Sequence, residues 1–247
     1  MNIQATTGLT NAQKATLKAL GAIAQSGCTV EKDFNCPENL DRHLRGHSME
    51  PNDTSARYDR IAQWWQTEHQ DSTYGIAQLE RAIEFTSKQH AALDVGCGSS
   101  GRFINSLSKH GFQPEGLDIS REMIDLAQRL HPEITFYRED ICDWQPPKLY
   151  SLIAAWDSTF HLPINQQAPV IQKLCDALEP NGVILFTCGG GHTSSEVSGA
   201  FQGQDFDYST LGVDTFLQIL VEHHCTCRHL EYDQYPENHV YIIAQKI

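Results

Sequence analysis

The chain has 247 residues, with 18 Lys and Arg against 31 Asp and Glu, which gives a formal net charge of −13. A protein that binds nucleic acid needs a basic face, so this balance argues against such a partner and slightly favours a small or cationic one. No apolar run approaches the roughly 18 residues of a membrane-spanning helix, and the N-terminus lacks the regions of a secretory signal. We therefore expect a cytoplasmic protein without a membrane partner, and the sequence leaves its oligomeric state open.

The eight cysteines predict neither a disulfide framework nor a metal site. In a cytoplasmic chain of this size they are expected to be mostly reduced. The nearest candidate for zinc is Cys225-Thr226-Cys227 with three histidines nearby, where both thiols could point the same way. Two thiols alone do not make a zinc site, so we interpret them as small apolar side chains and predict no metal.

The first part of the chain is predicted to be an N-terminal helical extension, residues 1–50, attached to a domain of residues 51–247. A capping box at Thr10 and Gln13 and apolar residues at helical spacing predict a helix over 10–26. Residues 28–54 are polar and indicate an irregular connection. The extension could be a lid over a substrate or a packing arm, and both interpretations stay open.

From residue 55 the pattern predicts two helices and then an alternation of strands and helices. The predicted helices are 55–68, 75–87, one that begins after Gly101, one that begins after Ser120, 167–178 and 214–224. The predicted strands are 91–95, one that ends at Asp118, 134–137, 150–156, 183–187, 228–233 and 240–245. This alternation predicts an α/β fold, a doubly wound, Rossmann-like parallel sheet with helices on both faces. The short link at 234–239 predicts that the last two strands form an antiparallel hairpin.

Residues 188–212 interrupt this rhythm, because they are rich in glycine, serine and threonine. A segment of this length in a compact domain is typical of a binding loop or lid. We therefore predict a lid here that covers the binding pocket, with His192, Glu196 and Tyr208 as candidate lining residues.

The stretch LDVGCGSSG at 93–101 is the first candidate binding element. Its three glycines allow a sharp turn and a close approach of the backbone to a ligand, and the helix that follows points free N–H groups at the turn. A lone glycine fingerprint is a weak signal, so acids at the ends of the following strands decide its meaning.

Two such acids follow, one after each of the next two strands. Asp118 lies about 20 residues beyond the glycines, where a carboxylate can accept from both hydroxyls of a ribose. Asp140 lies one strand further on, where a carboxylate can accept from the exocyclic amine of an adenine and the Ile141 N–H can donate to a ring nitrogen. The alternative is that both acids only cap helices or turns. This would explain either acid alone, but it is a weaker explanation for both together.

Four segments together resemble the motifs of class I S-adenosylmethionine-dependent methyltransferases. They are LDVGCG at 93–98, GLDIS at 116–120, EDI at 139–141 and LEPNGVIL at 178–185. The resemblance covers about residues 85–247, and it implies S-adenosylmethionine as cofactor and a seven-stranded, mostly parallel sheet. The residues that it implies for cofactor binding are Tyr58, Asp94, Gly96, Cys97, Gly98, Asp118, Ile119, Met123, Asp140, Ile141 and Trp156. We expect Cys97 to act through its backbone, and Trp156 could instead belong to the core.

A nicotinamide-dependent oxidoreductase is the alternative interpretation of the same glycines. Asp94, two residues before Gly96, would repel the pyrophosphate of a dinucleotide. The ammonium and sulfonium of S-adenosylmethionine tolerate or favour an acid, so the methyl donor is the better match. A protein of this fold that binds the cofactor without transferring methyl is a further alternative.

Methyl transfer to a small molecule by in-line displacement is therefore the predicted activity. The donor is already activated, so the protein mainly aligns the reactants and excludes water, and a base is needed only if the acceptor must lose a proton. The candidate catalytic residues are Asp157, which would orient the acceptor, and His161 as a base; both could instead be ordinary loop residues. Some relatives methylate soft centres through thiols, which would need Cys188 to meet Cys225 and Cys227.

Overall fold

The structure is a computed structural model, and it describes residues 49–247. The helices are α1 (Pro51–His69), α2 (Ile76–Glu84), α3 (Arg102–Lys109), α4 (Arg121–Leu130), α5 (Ile164–Asp176) and α6 (Val213–Glu222). The strands are β1 (Ala91–Val95), β2 (Gln113–Asp118), β3 (Thr135–Arg138), β4 (Tyr150–Ala155), β5 (Leu178–Gly189), β6 (Ser195–Phe201), β7 (Gln204–Thr210), β8 (Cys225–Glu231) and β9 (His239–Lys246). The predicted helix at 10–26 and the cysteines Cys28 and Cys36 lie outside the described residues.

Seven strands form one sheet in the order β3-β2-β1-β4-β5-β9-β8. The pairings among β1 to β5 are parallel, and β9 runs antiparallel to both β5 and β8. The predicted sheet and its closing hairpin are therefore confirmed. β1 and β4 are buried along their whole lengths, as expected for central parallel strands covered on both faces. This order brings the carboxyl ends of β1 to β4 to one edge.

Local signals placed several element boundaries correctly. The Ser120 hydroxyl accepts from the Met123 N–H and so caps α4, as its position before an apolar helical run predicts. Several boundaries differ, among them the start of α5, which is Ile164, and the predicted turn at 179–182, which lies inside β5. There Asn181 has a φ of 65°, and the pairing with β4 shifts between Tyr150 and Leu152, so the turn residues form an irregularity within the strand.

The prediction of a loop over 188–212 was wrong, because β6 and β7 form a separate antiparallel hairpin within this segment. Gln202 and Gly203 both have positive φ, which is typical of a two-residue hairpin turn whose twist matches that of the strands. The hairpin buries Phe201, Phe206 and Tyr208 against α1 and against Phe160. The glycine and serine content concealed this apolar face.

Helix α1 is fixed to both the hairpin and α4. Arg57 donates to the Asp205 carbonyl at 2.8 Å, which joins α1 to β7. On the other side the Asp59 carboxylate accepts from the Ser120 hydroxyl at 2.6 Å and from the Glu122 N–H at 3.0 Å. Asp59 thus satisfies donors at the N-terminus of α4, where its charge is also favourable. No helix among residues 49–247 is long and apolar enough to cross a membrane.

Candidate functional site

A cavity of about 1230 Å³, counted to its open mouth, lies at the carboxyl edge of β1 to β4 beneath α1. All thirteen residues predicted for the site line it: Tyr58, Asp94, Gly96, Cys97, Gly98, Asp118, Ile119, Met123, Asp140, Ile141, Trp156, Asp157 and His161. The hairpin residues expected to line it do not belong to its lining within the described part of the chain. His192 and Glu196 are exposed instead, and Tyr208 packs behind His161.

The glycine turn after β1 exposes its backbone to this cavity. Gly96, Gly98 and Gly101 all have positive φ, between 59° and 71°, which other residues rarely adopt. A Cβ on Gly98 would meet only Trp65 Nε1 at 3.5 Å, whereas a Cβ on Gly96 would collide with Ser158. The absence of a side chain at Gly98 therefore leaves space for a ligand, and its absence at Gly96 lets the loop after β4 pack against the turn.

Asp118 organises the turn as well as facing the cavity. Its Oδ2 accepts from the Gly98 N–H at 2.9 Å, and its Oδ1 accepts from the Ser120 N–H at 2.8 Å. These bonds fix the plane of the carboxylate, while each oxygen keeps capacity to accept from a ligand. Burial raises the pKa of Asp118 to about 6, against the opposing effect of these backbone donors.

Asp94 is a second buried acid, only 5% exposed, at the end of β1. Burial raises its pKa to about 7, and the charge of Arg102 partly offsets this effect. Arg102, in the first turn of α3, also lines the cavity and donates to the Tyr74 carbonyl at 3.0 Å. No local pattern around Arg102 indicated that this arginine faces the site.

Lys173 of α5 fixes the segment that contains Ile141. Its ammonium donates to the carbonyls of Ile141, Cys142 and Trp144 at 2.5, 2.9 and 2.9 Å. Asp140 accepts from the Cys142 N–H at 2.9 Å through Oδ1. This end of the cavity, next to β3, is therefore a rigid turn with apolar Ile141 as its wall.

The opposite end of the cavity, over β4, holds His161 and Tyr58. His161 Nδ1 lies 3.2 Å from the Asp207 carbonyl, which can only accept, so this nitrogen carries a hydrogen. Its Nε2 then accepts from the Tyr58 hydroxyl at 2.8 Å. Burial lowers the pKa of His161 to about 4, so the ring is neutral and both nitrogens are engaged.

Asp157 follows β4 with a φ of 50°, and its Oδ1 lies 3.0 Å from Nε2 of His239. The other ring nitrogen of His239 lies 2.7 Å from Oδ1 of Asp233. An imidazole between two carboxylates donates through both nitrogens and is therefore protonated. Burial alone would lower the pKa of His239, but Asp157 and then Asp233 outweigh it and raise this pKa to about 9. His239 in turn holds the pKa of Asp157 below its usual value despite burial.

Several lining residues were missed by sequence reasoning, among them Trp65, His69, Tyr74 and Arg102. The Trp65 and His69 rings stack with centroids 4.1 Å apart, and His69 Nδ1 bonds the Trp65 carbonyl at 2.9 Å. The helical spacing of these two residues on α1 was visible, but only the docking of α1 onto α4 turns that face toward the cavity.

The cysteines do not form a thiol site among the described residues. Cys188 is buried on β5, Cys225 is buried beside Cys175, and Cys227 is exposed. Cys225 and Cys227 therefore differ in environment although both lie on β8. Within residues 49–247 no group of three or more His, Cys, Asp or Glu side chains could hold a metal ion.

Comparisons with known proteins show which domains and folds this chain is similar to. Residues 92–182 match the family described as a methyltransferase domain. A ubiquinone biosynthesis O-methyltransferase of Vibrio cholerae is 27% identical over 189 residues, which cover 71% of each chain. An S-adenosylmethionine-dependent methyltransferase of Clostridium acetobutylicum has a similar fold, with a TM-score of 0.58, 12% identity, and coverage of 79% of this chain and 98% of that one. A 1,6-didemethyltoxoflavin-N1-methyltransferase of Burkholderia thailandensis also has a similar fold, with a TM-score of 0.58 and 16% identity. The match covers 88% of this chain and 93% of that one.

These similarities identify the class of protein that the sheet order and the glycine turn define. Together they support a class I S-adenosylmethionine-dependent methyltransferase of the small-molecule type, with S-adenosylmethionine as its cofactor. The predictions of recognition, activity and cofactor are therefore confirmed, whereas the roles of individual residues stay predictions.

The lining residues fit this cofactor. Thr54, Trp156 and Ser158 line the cavity, and within the described part of the chain each has a buried side-chain polar atom without a hydrogen-bond partner. The glycine turn leaves space at Gly98, and two acids lie where a ligand with hydroxyls and an ammonium can donate to them. Such a cationic ligand with several donors would pair with these two carboxylates.

The raised pKa values of Asp94 and Asp118 predict that cofactor affinity depends on pH. Below pH 7 and 6, respectively, the free protein holds a proton on each group, whereas a ligand that donates to them needs both carboxylates ionised. The affinity for S-adenosylhomocysteine should therefore weaken by about tenfold or more between pH 7.5 and 5.5. Calorimetric titrations across this range test this, and an affinity that does not change with pH would contradict it.

Proposed function

We propose that the cofactor lies across the carboxyl edge of the sheet, with its adenosine over β2 and β3 and its methionine part over β1 and β4. In this arrangement Asp118 accepts from the ribose hydroxyls, and Ile141 and Asp140 border the adenine. Asp94 and the glycine turn face the methionine part. The observation that carries the proposal is that all of these side chains line one cavity, in the order in which their strands lie in the sheet.

The acceptor would then enter at the end of the cavity over β4. Asp157, His161 and Tyr58 lie there, together with the rings of Tyr74 and Trp156. Bound S-adenosylmethionine supplies an electrophilic methyl group on a sulfonium. The protein's task is to hold the acceptor in line with that methyl and to exclude water, which α1 does by covering the cleft.

Neither predicted catalytic residue is a strong base. His161 has both nitrogens engaged, and Asp157 is bound to a protonated imidazole that lowers its pKa. We therefore propose that Asp157 orients the acceptor and that His161, through Tyr58, positions α1 against the loop after β4. The acceptor itself is a small molecule. The Vibrio relative is named for O-methylation and the Burkholderia neighbour for N-methylation.

Turnover with acceptors grouped by functional group tests the proposal. The protein is incubated with S-adenosylmethionine and each acceptor, and the S-adenosylhomocysteine formed is measured by mass spectrometry. We expect product above the acceptor-free background, and we expect S-adenosylhomocysteine, but not NAD, to raise the melting temperature. Stabilisation by NAD alone would favour an oxidoreductase. Tight cofactor binding without product across the whole panel would favour a binding protein.

Other features of the proposal rest on the sequence. We infer that residues 51–247 act as the methyltransferase domain and that residues 1–50 are an extension to it. The acidic charge balance supports the absence of a nucleic-acid partner. A cytoplasmic location, with no membrane partner, stays a prediction.

A further inference from the structure

Acidic side chains outnumber basic ones in the lining of the cavity. Five carboxyl groups line the whole cavity, those of Asp94, Asp118, Glu139, Asp140 and Asp157. Arg102 is the only guanidinium or ammonium group among the described lining residues, and the lining histidines His69 and His161 have pKa values lowered to about 4 by burial. This excess favours cationic or neutral ligands and repels an acceptor that carries a carboxylate or phosphate.

Asp157 is the carboxylate at the acceptor end, and a buried chain of groups holds it in place. His239 is 0% exposed and bridges Asp157 and Asp233, at 3.0 and 2.7 Å. Tyr74 also bonds the Asp157 carboxylate, and its oxygen accepts from Gln234 at 2.8 Å. The Asp157 N–H donates to the Thr187 hydroxyl at 2.8 Å. These contacts come from three separate parts of the chain, so the carboxylate keeps both its charge and its direction.

We propose that Asp157 selects an amine as the methyl acceptor, and that His239 and Asp233 are positioning residues that keep Asp157 as an oriented carboxylate. This inference rests on the proposed function of the cavity. The carboxylate accepts an N–H bond from the neutral amine and so directs the nitrogen lone pair toward the methyl group. Aromatic rings of Tyr58, Tyr74 and Trp156 around this point favour a cation as well.

The charges of the reaction agree with this assignment. A nitrogen–carbon bond forms as the carbon–sulfur bond breaks, sulfur keeps the electron pair, and the positive charge moves from sulfur to nitrogen. When the amine binds in its neutral form, no proton has to leave before or during the step, and the ammonium product gives its proton to solvent afterwards. The absence of a strong base at Asp157 and His161 is then no obstacle. A fixed carboxylate next to the nitrogen stabilises the charge that develops there. A hydroxyl acceptor would instead need a base, and a carboxylate acceptor would be repelled.

The test uses sinefungin, a cofactor analogue in which a carbon with an amino group replaces the sulfonium and its methyl, so that the amino nitrogen lies where the methyl would. Calorimetry compares its affinity with that of S-adenosylhomocysteine. In the unmodified chain we expect sinefungin to bind at least about tenfold tighter, which corresponds to about 1.4 kcal/mol. In Asp157→Asn this preference should fall to about twofold or less. Asparagine tolerates the positive φ at this position, so the variant is expected to fold.

The matched control is Asp214→Asn, which alters an exposed aspartate that lies 3.5 Å from His192. It should keep the full preference for sinefungin. If S-adenosylhomocysteine does not bind the unmodified chain, the proposed function itself fails. If it binds but sinefungin shows no preference, or if Asp157→Asn keeps the preference, the amine assignment is wrong while the cofactor site stands.

The role of His239 has its own readout, which is the pH dependence of the same affinity ratio. The titratable groups around Asp157 are His239, Asp233, Tyr58, Tyr74, Tyr208, Arg102, His69 and His161. In the unmodified chain the ratio should stay constant from pH 8 to 6, because the charge of His239 holds Asp157 ionised. In His239→Gln no positive charge offsets the effect of burial on the pKa of Asp157. Asp157 therefore takes up a proton as the pH falls, and the preference for sinefungin should decline several-fold. A constant ratio in His239→Gln would show that His239 has only a structural role. The titration of Asp94 and Asp118 does not change the affinity ratio, because sinefungin and S-adenosylhomocysteine present the same groups to these two acids.

Discussion

Asp118→Ala is expected to weaken the binding of S-adenosylhomocysteine by about 100-fold, which corresponds to about 3 kcal/mol. The substitution removes a charged acceptor for the ribose hydroxyls. It also leaves the N–H groups of Gly98 and Ser120 without the partners that shape the glycine turn. Calorimetric titration with the ligand measures the loss directly.

The control for Asp118→Ala is Asp125→Ala, on the next helix. Asp125 is half exposed and only forms an ion pair with Arg121, at 3.6 Å and four residues away, so its removal should change the affinity less than twofold. An unchanged affinity in Asp118→Ala would remove Asp118 from the cofactor site. Equal losses in both variants would indicate a general loss of stability instead.

Gly98→Ala is expected to weaken cofactor binding by more than about tenfold while the protein stays folded. The added methyl would stand between Gly98 and Trp65, which both line the cavity, without a protein clash closer than 3.5 Å. The positive φ of 59° costs about 1–2 kcal/mol of stability for any residue with a Cβ. Thermal unfolding and calorimetry separate these two effects.

Gly203→Ala supplies the matched control, because Gly203 has a φ of 71° and no atom within 4 Å of an added Cβ. It should lose a similar amount of stability and keep its affinity for the cofactor. If Gly98→Ala binds as well as Gly203→Ala does, the turn does not approach the ligand closely and the proposed cofactor position is wrong.

The sequence predicted those features that depend on residues close together in the chain. The glycine turn, the acids at strand ends and the Ser120 cap depend on neighbouring residues and on the repeat of strand and helix. Because parallel strands bring their carboxyl ends to one edge, Asp94, Asp118 and Asp140 were predicted to lie together from their order alone.

The parts that the sequence did not predict depend on distant contacts. His239 meets Asp157 across 82 positions of the chain, and no local pattern marks it as a partner. The hairpin of β6 and β7 was hidden by its glycine and serine content, although Gln202-Gly203 between aromatic-bearing strands was a signal for a tight turn. Arg102 looked like an ordinary helix residue, because only the burial of its side chain beside Asp94 gives it a role.

A crystal structure of the protein with bound S-adenosylhomocysteine would show where the cofactor lies. We expect ligand density in the cavity beneath α1, with the ribose hydroxyls on Asp118, the adenine beside Ile141 and the sulfur directed toward Asp157. Density in the reverse orientation, or at a place outside this cavity, would contradict it.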